Sequence, residues 1–294
     1  MSDNLKGLIL SCNKGVYTVK TEDTTYYCRA ASKISKSTGK ILAGDRVEFS
    51  ENKDGTGFIT SVLPRKNSLV RPPVANIDLL CIVVSPKEPD PFIYNIDLLT
   101  VLAEKAKTEA IIIVTKNDLD NSEYLKSIYE KTHYRVITTS SKESKGINEV
   151  REALKGKICV LCGASGVGKS SLLNTMYPFL KAETGELSKR ISRGKNTTRT
   201  TELFPLENNT FIADSPGFSA IETEQYFSID CKELCSLFPE FAEYSSKCRY
   251  SDCTHTKEKE CAVAKAAEEG LISTSRLENY RKLYEKLRNI DRYK

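Results

Sequence analysis

One segment, GASGVGKS at residues 163–170, restricts the fold of this chain more than any other feature of its sequence. It is a complete GxxxxGKS phosphate loop, and it lies between the strand-like run KICVL and the helix-like run SLLNTMY, as such a loop should. Backbone amides can turn toward a phosphate there, while Lys169 can reach the β- and γ-phosphates and Ser170 can bind magnesium. The motif predicts a nucleotide site formed by Gly163, Ala164, Ser165, Gly166, Val167, Gly168, Lys169, Ser170 and Ser171.

The sequence around this loop predicts an α/β domain. Apolar strand-like runs alternate with amphipathic stretches, and the predicted strands are 78–84, 110–114, 135–138, 157–161 and 210–213. Their continuous apolar character is typical of a parallel sheet that helices cover on both faces. Such folds bind ligands at the carboxyl ends of the strands.

Two further motifs at strand ends predict a guanine site. TKND at 115–118 fits the [NT]KxD pattern, in which Asp118 accepts hydrogen bonds from guanine N1 and N2 and Lys116 packs over the base. SSK at 140–142 resembles the SAK element, whose backbone contacts guanine O6. Alone, TKND could be an ordinary strand-end loop. The candidate base-contacting residues are Thr115, Lys116, Asn117, Asp118, Ser140, Ser141 and Lys142.

A fourth motif, DSPG at 214–217, predicts a nucleotide-sensing switch. Asp214 is a candidate to hold magnesium through water, and the Gly217 amide can meet the γ-phosphate. Between this motif and the phosphate loop lies RGKNTTRTTE, in which Thr198 is the candidate switch I ligand of magnesium. Phe218 follows DSPG, where many GTPases have a glutamine that orients the attacking water. We therefore predict slow intrinsic hydrolysis, which a partner accelerates.

The order of the motifs is unusual. In ordinary GTPases the phosphate loop comes first and the guanine element last, whereas here the order is TKND, SSK, GASGVGKS, TTR, DSPG. The domain is therefore predicted to be circularly permuted, which leaves a packed site intact because chain termini usually lie close together.

The first section of the chain predicts a small all-β domain. Five short strand-like runs between residues 6 and 62, separated by turn residues, fit a five-stranded OB-fold barrel. Such barrels bind oligonucleotides, and Lys33, Lys36, Lys40, Tyr26 and Tyr27 could contact phosphates and stack on bases. Solvated turn lysines and core tyrosines are the equal alternative.

The last section predicts a mainly helical domain around a metal. Cys248, Cys253, His255 and Cys261 form CxxxxCxHxxxxxC, a closed set of zinc ligands of the structural type. Cys231 and Cys235 could compete as ligands or fill the core. With RPPV at 71–74 as a breaker, the predicted domains are 1–70, 71–222 and 223–294.

Residues 276–294 carry seven basic and three acidic side chains with apolar residues at helical spacing. This helix could dock on RNA phosphates or pack against the nucleotide-binding domain. Near the phosphate loop, Cys159 and Cys162 imitate a CxxC motif but are interpreted as small buried side chains.

Composition excludes an integral membrane protein. The longest apolar runs, at 79–84 and 110–114, fall far short of the roughly 20 residues that a spanning helix needs. The N-terminal MSDNLKGLILSCNKG lacks the pattern of a secretory signal, so we expect a cytoplasmic protein. In that compartment the ten cysteines should be thiols or metal ligands. The net charge of +5 weakly favours a polyanionic partner.

The permuted motifs and the zinc spacing together resemble the ribosome small-subunit-dependent GTPase A family, RsgA, over almost the whole chain. The resemblance implies an OB domain, a permuted G domain and a zinc domain that bind the decoding region of the 30S subunit, and its 16S rRNA, during late maturation. It implies GTP or GDP with Mg²⁺, one structural Zn²⁺, and GTP hydrolysis that the subunit stimulates and that drives release. A monomer is expected.

The chain departs from the family at switch I. The family pattern resembles GRHTT, and its histidine, a candidate for positioning water, corresponds to Asn196 here. Asn196 can hydrogen-bond a water but cannot take its proton at neutral pH. The candidate catalytic residues are therefore Thr198, Asn196 and Lys169. A nucleotide-gated RNA binder with incidental hydrolysis is one competing hypothesis, and a GTPase of the large subunit or of another RNA is a second.

Overall fold

The computed structural model describes residues 4–31, 34, 39–120, 122–178, 201–214 and 229–291, without the side chains of residues 214, 290 and 291. Several predicted functional residues lie outside these ranges: Lys33, Lys36, Asn196, Thr198, Gly217 and Phe218. The chain forms two compact units. The first comprises Met1–Leu80, Arg151–Cys162 and Leu180–Gly217, and the second Cys81–Val150, Gly163–Phe179 and Phe218–Lys294.

The first unit begins with a closed barrel. Its strands are β1 (Leu5–Asn13), β2 (Val16–Lys20), β3 (Thr25–Ala30), β4 (Arg46–Glu51) and β5 (Gly57–Val62), hydrogen-bonded in the order β1-β2-β3-β5-β4. Lys14 and Gly15, both with positive φ, form the two-residue turn between β1 and β2, a conformation that suits a tight hairpin. The five-stranded closed order confirms the predicted OB fold.

The barrel core explains why these runs become strands. Alternate side chains point inward, and the buried cluster consists of Ile9, Val19, Cys28, Ile41, Val47, Phe49 and Ile59. Behind the barrel, β6 (Ser68–Leu69) and β7 (Val74–Ala75) form a short hairpin, which includes the Pro-rich breaker. The Ala75 amide donates to Ala43 O at 2.8 Å, and buried Asp45 accepts from Arg65 Nε at 2.6 Å. These contacts fix the hairpin to the barrel.

A six-stranded sheet follows, with the order β10-β9-β8-β11-β13-β12. Its strands are β8 (Leu79–Val84), β9 (Glu109–Val114), β10 (Arg135–Thr138), β11 (Ile158–Cys162), β12 (Leu203–Pro205) and β13 (Phe211–Asp214). All five predicted strands are present, and the β9–β10 and β11–β13 pairs are parallel. The sequence missed β12, an antiparallel edge strand, because three residues ending in proline give no periodic signal.

Helices alternate with these strands. They are α1 (Ile93–Ala106), α2 (Glu123–Tyr129), α3 (Ile147–Leu154) and α4 (Lys169–Met176), which follow β8, β9, β10 and β11. The strand order reverses between β8 and β11. From β8 the chain adds β9 and then β10 toward one edge of the sheet, whereas β11 and the strands after it lie toward the other edge. Such a switch point is where open α/β sheets bind ligands.

The C-terminal section belongs to the second unit and packs against α1. Short 3-10 turns at Leu234–Leu237 and Pro239–Phe241 lead to α5 (Ala242–Ser245), α6 (Ala262–Glu268) and α7 (Thr274–Asp291). Its core includes Phe238, Phe241 and Tyr280, in contact with α1 residues such as Leu98. This packing supports the second interpretation of the terminal helix. No helix within the described ranges is long and apolar enough to cross a membrane.

A buried ion cluster joins α7 to α1. Arg276, one of the basic residues of the terminal helix, is fully buried, with Nη1 at 2.8 Å from Asp97 Oδ1 and Nε at 2.6 Å from Glu240 Oε1. Asp97 also accepts from Tyr129 Oη at 2.8 Å and from Asn279 Nδ2 at 2.7 Å. Burial raises the pKa of Asp97, and the Arg276 charge opposes that effect. We call these five residues the α1–α7 clasp.

Candidate nucleotide site and metal centre

The phosphate loop connects β11 to α4. Gly163 lies so close to β8 that a Cβ there would be 2.2 Å from Val83 O, so no larger residue fits without movement. Gly166 and Gly168 have φ of 83° and 95°, which favours glycine. The N-terminal amides of α4, starting at Lys169, therefore face the loop, as an anion site requires.

Lys169 is folded across this loop. Its Nζ donates to Gly163 O and to Ala164 O, both at 2.8 Å. These bonds hold the ammonium over the loop, within the region that the motif assigns to phosphates. Ser170 follows in the first turn of α4, half-buried, where its hydroxyl is available at the same end of the helix.

Thr115 connects the guanine motif to the phosphate loop. It is buried at the end of β9, and its Oγ1 is within hydrogen-bond distance of Val84 O and of Val167 O. A Cβ on Gly168 would lie 3.3 Å from this oxygen. Thr115 therefore connects the end of β8 with the phosphate loop.

Asp118 is held by Ser140, across the two strand-end loops. Ser140 Oγ donates to Asp118 Oδ1 at 2.6 Å, and this hydrogen bond is the main cause that lowers the pKa of the Asp118 carboxyl. The Asn117 amide donates to Thr139 O at 3.1 Å, and its side-chain oxygen accepts from Ser122 Oγ at 2.6 Å. The structure thus brings TKND and SSK together, with an ionised carboxylate between them.

Sequence reasoning missed the segment that follows β8. Lys116 Nζ donates to Glu88 O, and Pro89 Cδ would lie 3.7 Å from a Cβ on Gly166. Tyr124 Oη donates to Pro86 O at 3.3 Å. Residues 86–89 therefore form a wall beside both the guanine and the phosphate motifs. In the sequence, residues 86–89 could have been found only from their position directly after the predicted strand 78–84, at the carboxyl edge of the sheet, where such folds bind ligands.

The switch residues are described only in part. Asp214 pairs with Leu161 in the parallel β11–β13 register, so its backbone is at the end of β13. Its side chain, and the residues Asn196, Thr198, Gly217 and Phe218, lie outside the description. Of the three expected magnesium ligands, only Ser170 has a side chain within the described part of the structure. Cys159 and Cys162 are buried in β11, in agreement with their interpretation as core residues.

The four expected metal ligands converge. The ligand atoms of Cys248, Cys253, His255 and Cys261 all lie within 4.8 Å of one another. His255 Nδ1 is 3.6, 3.5 and 3.3 Å from the sulfurs of Cys248, Cys253 and Cys261, and the Cys248 and Cys261 sulfurs are 3.9 Å apart. With zinc bonds of about 2.3 Å to sulfur and 2.0 Å to nitrogen, a tetrahedron places sulfurs about 3.8 Å apart and sulfur–nitrogen pairs about 3.5 Å apart. The donor set fits zinc.

Several hydrogen bonds hold the loop around His255. His255 has a φ of 58°, and Glu258 beside it accepts from the amides of Thr254 and Thr256 at 3.0 and 2.9 Å. Burial would raise the pKa of Glu258, but these bonds and that from the Thr254 hydroxyl lower it to about 2. Burial lowers the pKa of His255 and raises that of Cys253 to about 12. The imidazole is thus a neutral ligand, whereas the thiols must lose protons when a metal binds.

Two family models match the chain. The model described as RsgA GTPase matches residues 62–224, and that described as RsgA N-terminal domain matches residues 6–59. The small ribosomal subunit biogenesis GTPase RsgA of Thermotoga maritima is 39% identical over 289 residues, 96% of each chain. The protein of that name from Carboxydothermus hydrogenoformans is 40% identical over 291 residues, 98% of this chain and 99% of the relative.

Two solved structures have the same fold over nearly the whole chain. YjeQ from Thermotoga maritima superposes with a TM-score of 0.83 at 38% identity, covering 97% of this chain and 99% of that one. YloQ, described as a circularly permuted GTPase, superposes with a TM-score of 0.79 at 30% identity, covering 98% and 96%. The likeness to YloQ confirms the permuted order expected from the motifs.

Proposed function

Because this chain belongs to the RsgA GTPase family, we propose that it binds the 30S ribosomal subunit, assists its late maturation, and leaves it after GTP hydrolysis that the subunit stimulates. The chain is a GTP hydrolase. The observation that carries the proposal is the junction at Thr115, whose hydroxyl contacts the phosphate loop at Val167 and which begins the guanine motif. The proposed base site and the proposed phosphate site are thus connected through one residue.

The guanine assignment follows from hydrogen-bond chemistry. The ionised Asp118 accepts from guanine N1–H and N2–H, whereas adenine offers no such pair of donors and would leave the carboxylate unpaired. Lys116 Nζ donates to Glu88 O, and we assign the aliphatic stem of Lys116 to the face of the base. The Ser141 and Lys142 backbone lies in the loop that contacts O6.

The phosphates are assigned to the loop because its backbone amides and Lys169 carry partial or full positive charge. Loop amides and Lys169 stabilise the negative charge on the β- and γ-phosphates, and Ser170, Thr198 and Asp214 are the proposed magnesium ligands. The magnesium ion neutralises phosphate charge when bound. The Gly217 amide is assigned to the γ-phosphate, so that switch II responds to hydrolysis.

Hydrolysis by the free protein should be slow. Neither Phe218 nor Asn196 can act as a base toward water. The two histidines of the chain are His133 and His255, and the second belongs to the metal centre. A group or an ordering effect supplied by the subunit therefore completes the site.

The barrel supplies the proposed contact with 16S rRNA. Tyr27 and Phe58 are 65% and 41% exposed on adjacent strands, and Arg29, opposite Phe58 in the β3–β5 register, lies between them along that face. Exposed aromatics beside a cation suit unpaired bases. Tyr26, an earlier candidate for stacking, instead packs on Phe49 in the barrel, with the ring centroids 5.1 Å apart.

For the metal centre we propose one structural Zn²⁺ held by Cys248, Cys253, His255 and Cys261. Four protein ligands leave no open coordination position, so zinc would stabilise the loop and take no part in hydrolysis. We also propose that the protein acts in the cytoplasm as a monomer.

The test is GTP turnover with and without 30S subunits, with 50S subunits and ATP as controls. We expect a large increase with GTP and 30S subunits alone, and loss of that increase in Lys169→Ala. Tight GTP-dependent 30S binding without an increase would favour the alternative, a nucleotide-gated RNA binder, which Phe218 and Asn196 support. Equal 30S affinity with GTP and GDP would contradict both, and stimulation by 50S subunits would point to the large subunit.

A further inference from the structure

The two ring nitrogens of His255 face different groups. Nδ1 faces the three sulfurs of the metal centre, with Cys261 Sγ at 3.3 Å. Nε2, on the far side of the ring, lies 3.3 Å from Cys235 Sγ. Cys235 therefore contacts a proposed ligand but does not belong to the cluster of ligand atoms.

Metal binding fixes where the imidazole proton must be. A neutral histidine that binds through Nδ1 keeps its proton on Nε2, which then requires an acceptor. His255 is only 3% exposed, so the ring is largely shielded from water. Cys235 Sγ is the polar atom that the described part of the chain places at Nε2, and a thiol sulfur can accept a weak hydrogen bond.

Packing fixes the position of this sulfur. Cys235 lies in the 3-10 turn Leu234–Leu237, whose two terminal leucines are buried in the C-terminal core. On the other side of the loop, α7 holds the backbone, since Tyr280 Oη donates to Thr254 O at 2.9 Å and Arg281 Nε to His255 O at 3.0 Å. The rings of Phe241 and Tyr280 also lie beside the imidazole, with centroids 6.3 and 6.1 Å from its own, and Cys235 adds a polar contact at Nε2.

We propose that Cys235 is a positioning residue of the metal centre: its Sγ accepts the hydrogen bond from Nε2–H of His255 and so presents Nδ1 to the metal. The inference rests on the zinc ligands assigned under Proposed function. The sequence left two roles open for Cys235, metal ligand or core residue. The proposal gives it a third role, as the hydrogen-bond partner of a ligand.

The experiment compares full-length Cys235→Ala and Cys235→Ser with the unsubstituted protein. Cys231→Ala is the matched control, since Cys231 is also half-buried against the same core. Zinc affinity is measured by competition with a chelator. We expect Cys235→Ala to weaken zinc binding roughly 10- to 100-fold, the usual effect of losing such a partner. Cys235→Ser should recover much of the loss because a hydroxyl also accepts, and Cys231→Ala should match the unsubstituted protein.

Cobalt(II) absorption separates positioning from ligation. If Cys235 positions His255, three thiolates bind the metal with or without Cys235, and thiolate-to-cobalt charge transfer per bound ion is unchanged in Cys235→Ala. A drop of about one quarter in that intensity would mean that four thiolates bound and that Cys235 is a ligand, which overturns the inference. Unchanged zinc affinity in Cys235→Ala would also overturn it. Failure of the unsubstituted protein to bind either metal would instead reject the ligand assignment on which it rests.

Discussion

At the scale of single residues, the proposed recognition of guanine by Asp118 would benefit from the way this carboxylate is held without a nucleotide. Ser140 Oγ fixes one carboxylate oxygen at 2.6 Å and lowers the pKa of the group. A carboxylate that is already charged and oriented loses little freedom when it accepts the guanine donors. Ser140 therefore contributes through its side chain, in addition to the backbone contact that the SAK resemblance implies.

Ser140→Ala should weaken nucleotide binding more as the pH falls. In the proposed site, Asp118 binds guanine only when its carboxyl is ionised. Its pKa is lowered, so the nucleotide affinity should be full above that pKa and should be lost as the pH falls through it. Removing the Ser140 hydrogen bond raises the pKa, so the acid limb of the affinity profile moves to higher pH. At neutral pH we expect a loss of roughly three- to tenfold from the lost hydrogen bond.

The measurement is binding of a fluorescent GDP analogue from about pH 3, below the ordinary pKa of an aspartate, up to about pH 7, with circular dichroism at each pH to confirm folding. Ser141→Ala is the control, since it alters the neighbouring hydroxyl in the same loop. An acid limb that stays in place in Ser140→Ala would mean that Ser140 does not set the ionisation of Asp118.

The residues of the site were predictable where they are contiguous. A loop of fixed spacing such as GASGVGKS carries its chemistry within eight positions, so the sequence alone identifies it. The contacts that position those residues join distant parts of the chain: Thr115 and Val167 are 52 residues apart, and Lys116 and Glu88 are 28 apart. No local pattern encodes such pairs, so the sequence could not reveal them.

At the scale of elements, α7 contacts both the loop that carries the proposed metal ligand His255 and the helix α1. Tyr280 and Arg281 hold the loop of His255, while Arg276, one turn earlier, enters the α1–α7 clasp. From the sequence, the terminal helix that contains Arg276 could either dock on RNA phosphates or pack against the nucleotide-binding domain. The burial of Arg276 beside Asp97 and Glu240 could not be predicted, because charged residues usually remain exposed and their partners lie on other elements.

Arg276→Ala should destabilise the packing of α7 on α1 strongly. It leaves the carboxylates of Asp97 and Glu240 buried without their cation, and removal of one partner from a buried ion pair costs about 3–5 kcal/mol. Amide hydrogen exchange in α1 and α7 measures this locally, and the barrel amides serve as an internal reference. If the variant does not fold, Arg276→Lys keeps the charge and should show a smaller loss of protection.

Lys282→Ala is the matched control for the clasp, since Lys282 is an exposed residue of the same helix. It should leave exchange within about 0.5 kcal/mol of the unsubstituted protein. Equal protection of α1 in Arg276→Ala and Lys282→Ala would show that the clasp adds no stability.

At the scale of the whole molecule, the barrel has a surface of its own for a partner. The side chains at the surface of the barrel strands include more basic than acidic residues, namely Lys6, Lys20, Arg29 and Arg46 against Glu48 and Glu51. Together with the exposed rings of Tyr27 and Phe58, this charge suits RNA.

Phe58→Trp should report RNA binding directly. The chain contains no tryptophan, so the substitution adds a single fluorophore at the proposed stacking position, and we expect its emission to change when single-stranded RNA binds. Phe58→Ala should weaken binding roughly 5- to 150-fold, since stacking on one base contributes about 1–3 kcal/mol. Leu271→Trp, at an exposed position between α6 and α7, is the control. RNA binding that leaves Phe58→Trp emission and Phe58→Ala affinity unchanged would place the contact elsewhere.

The α1–α7 clasp also bears on folding during synthesis, because its residues lie far apart along the chain. Asp97 and Arg276 are 179 residues apart, and at roughly 5–20 residues per second a ribosome needs about 9–36 s to add that length. The barrel strands all lie within the first 62 residues and can pair early in synthesis. Leu98 and Val101 of α1 must wait for α7 before their C-terminal partners exist. The speed of translation therefore sets how long this apolar face stays uncovered on the growing chain.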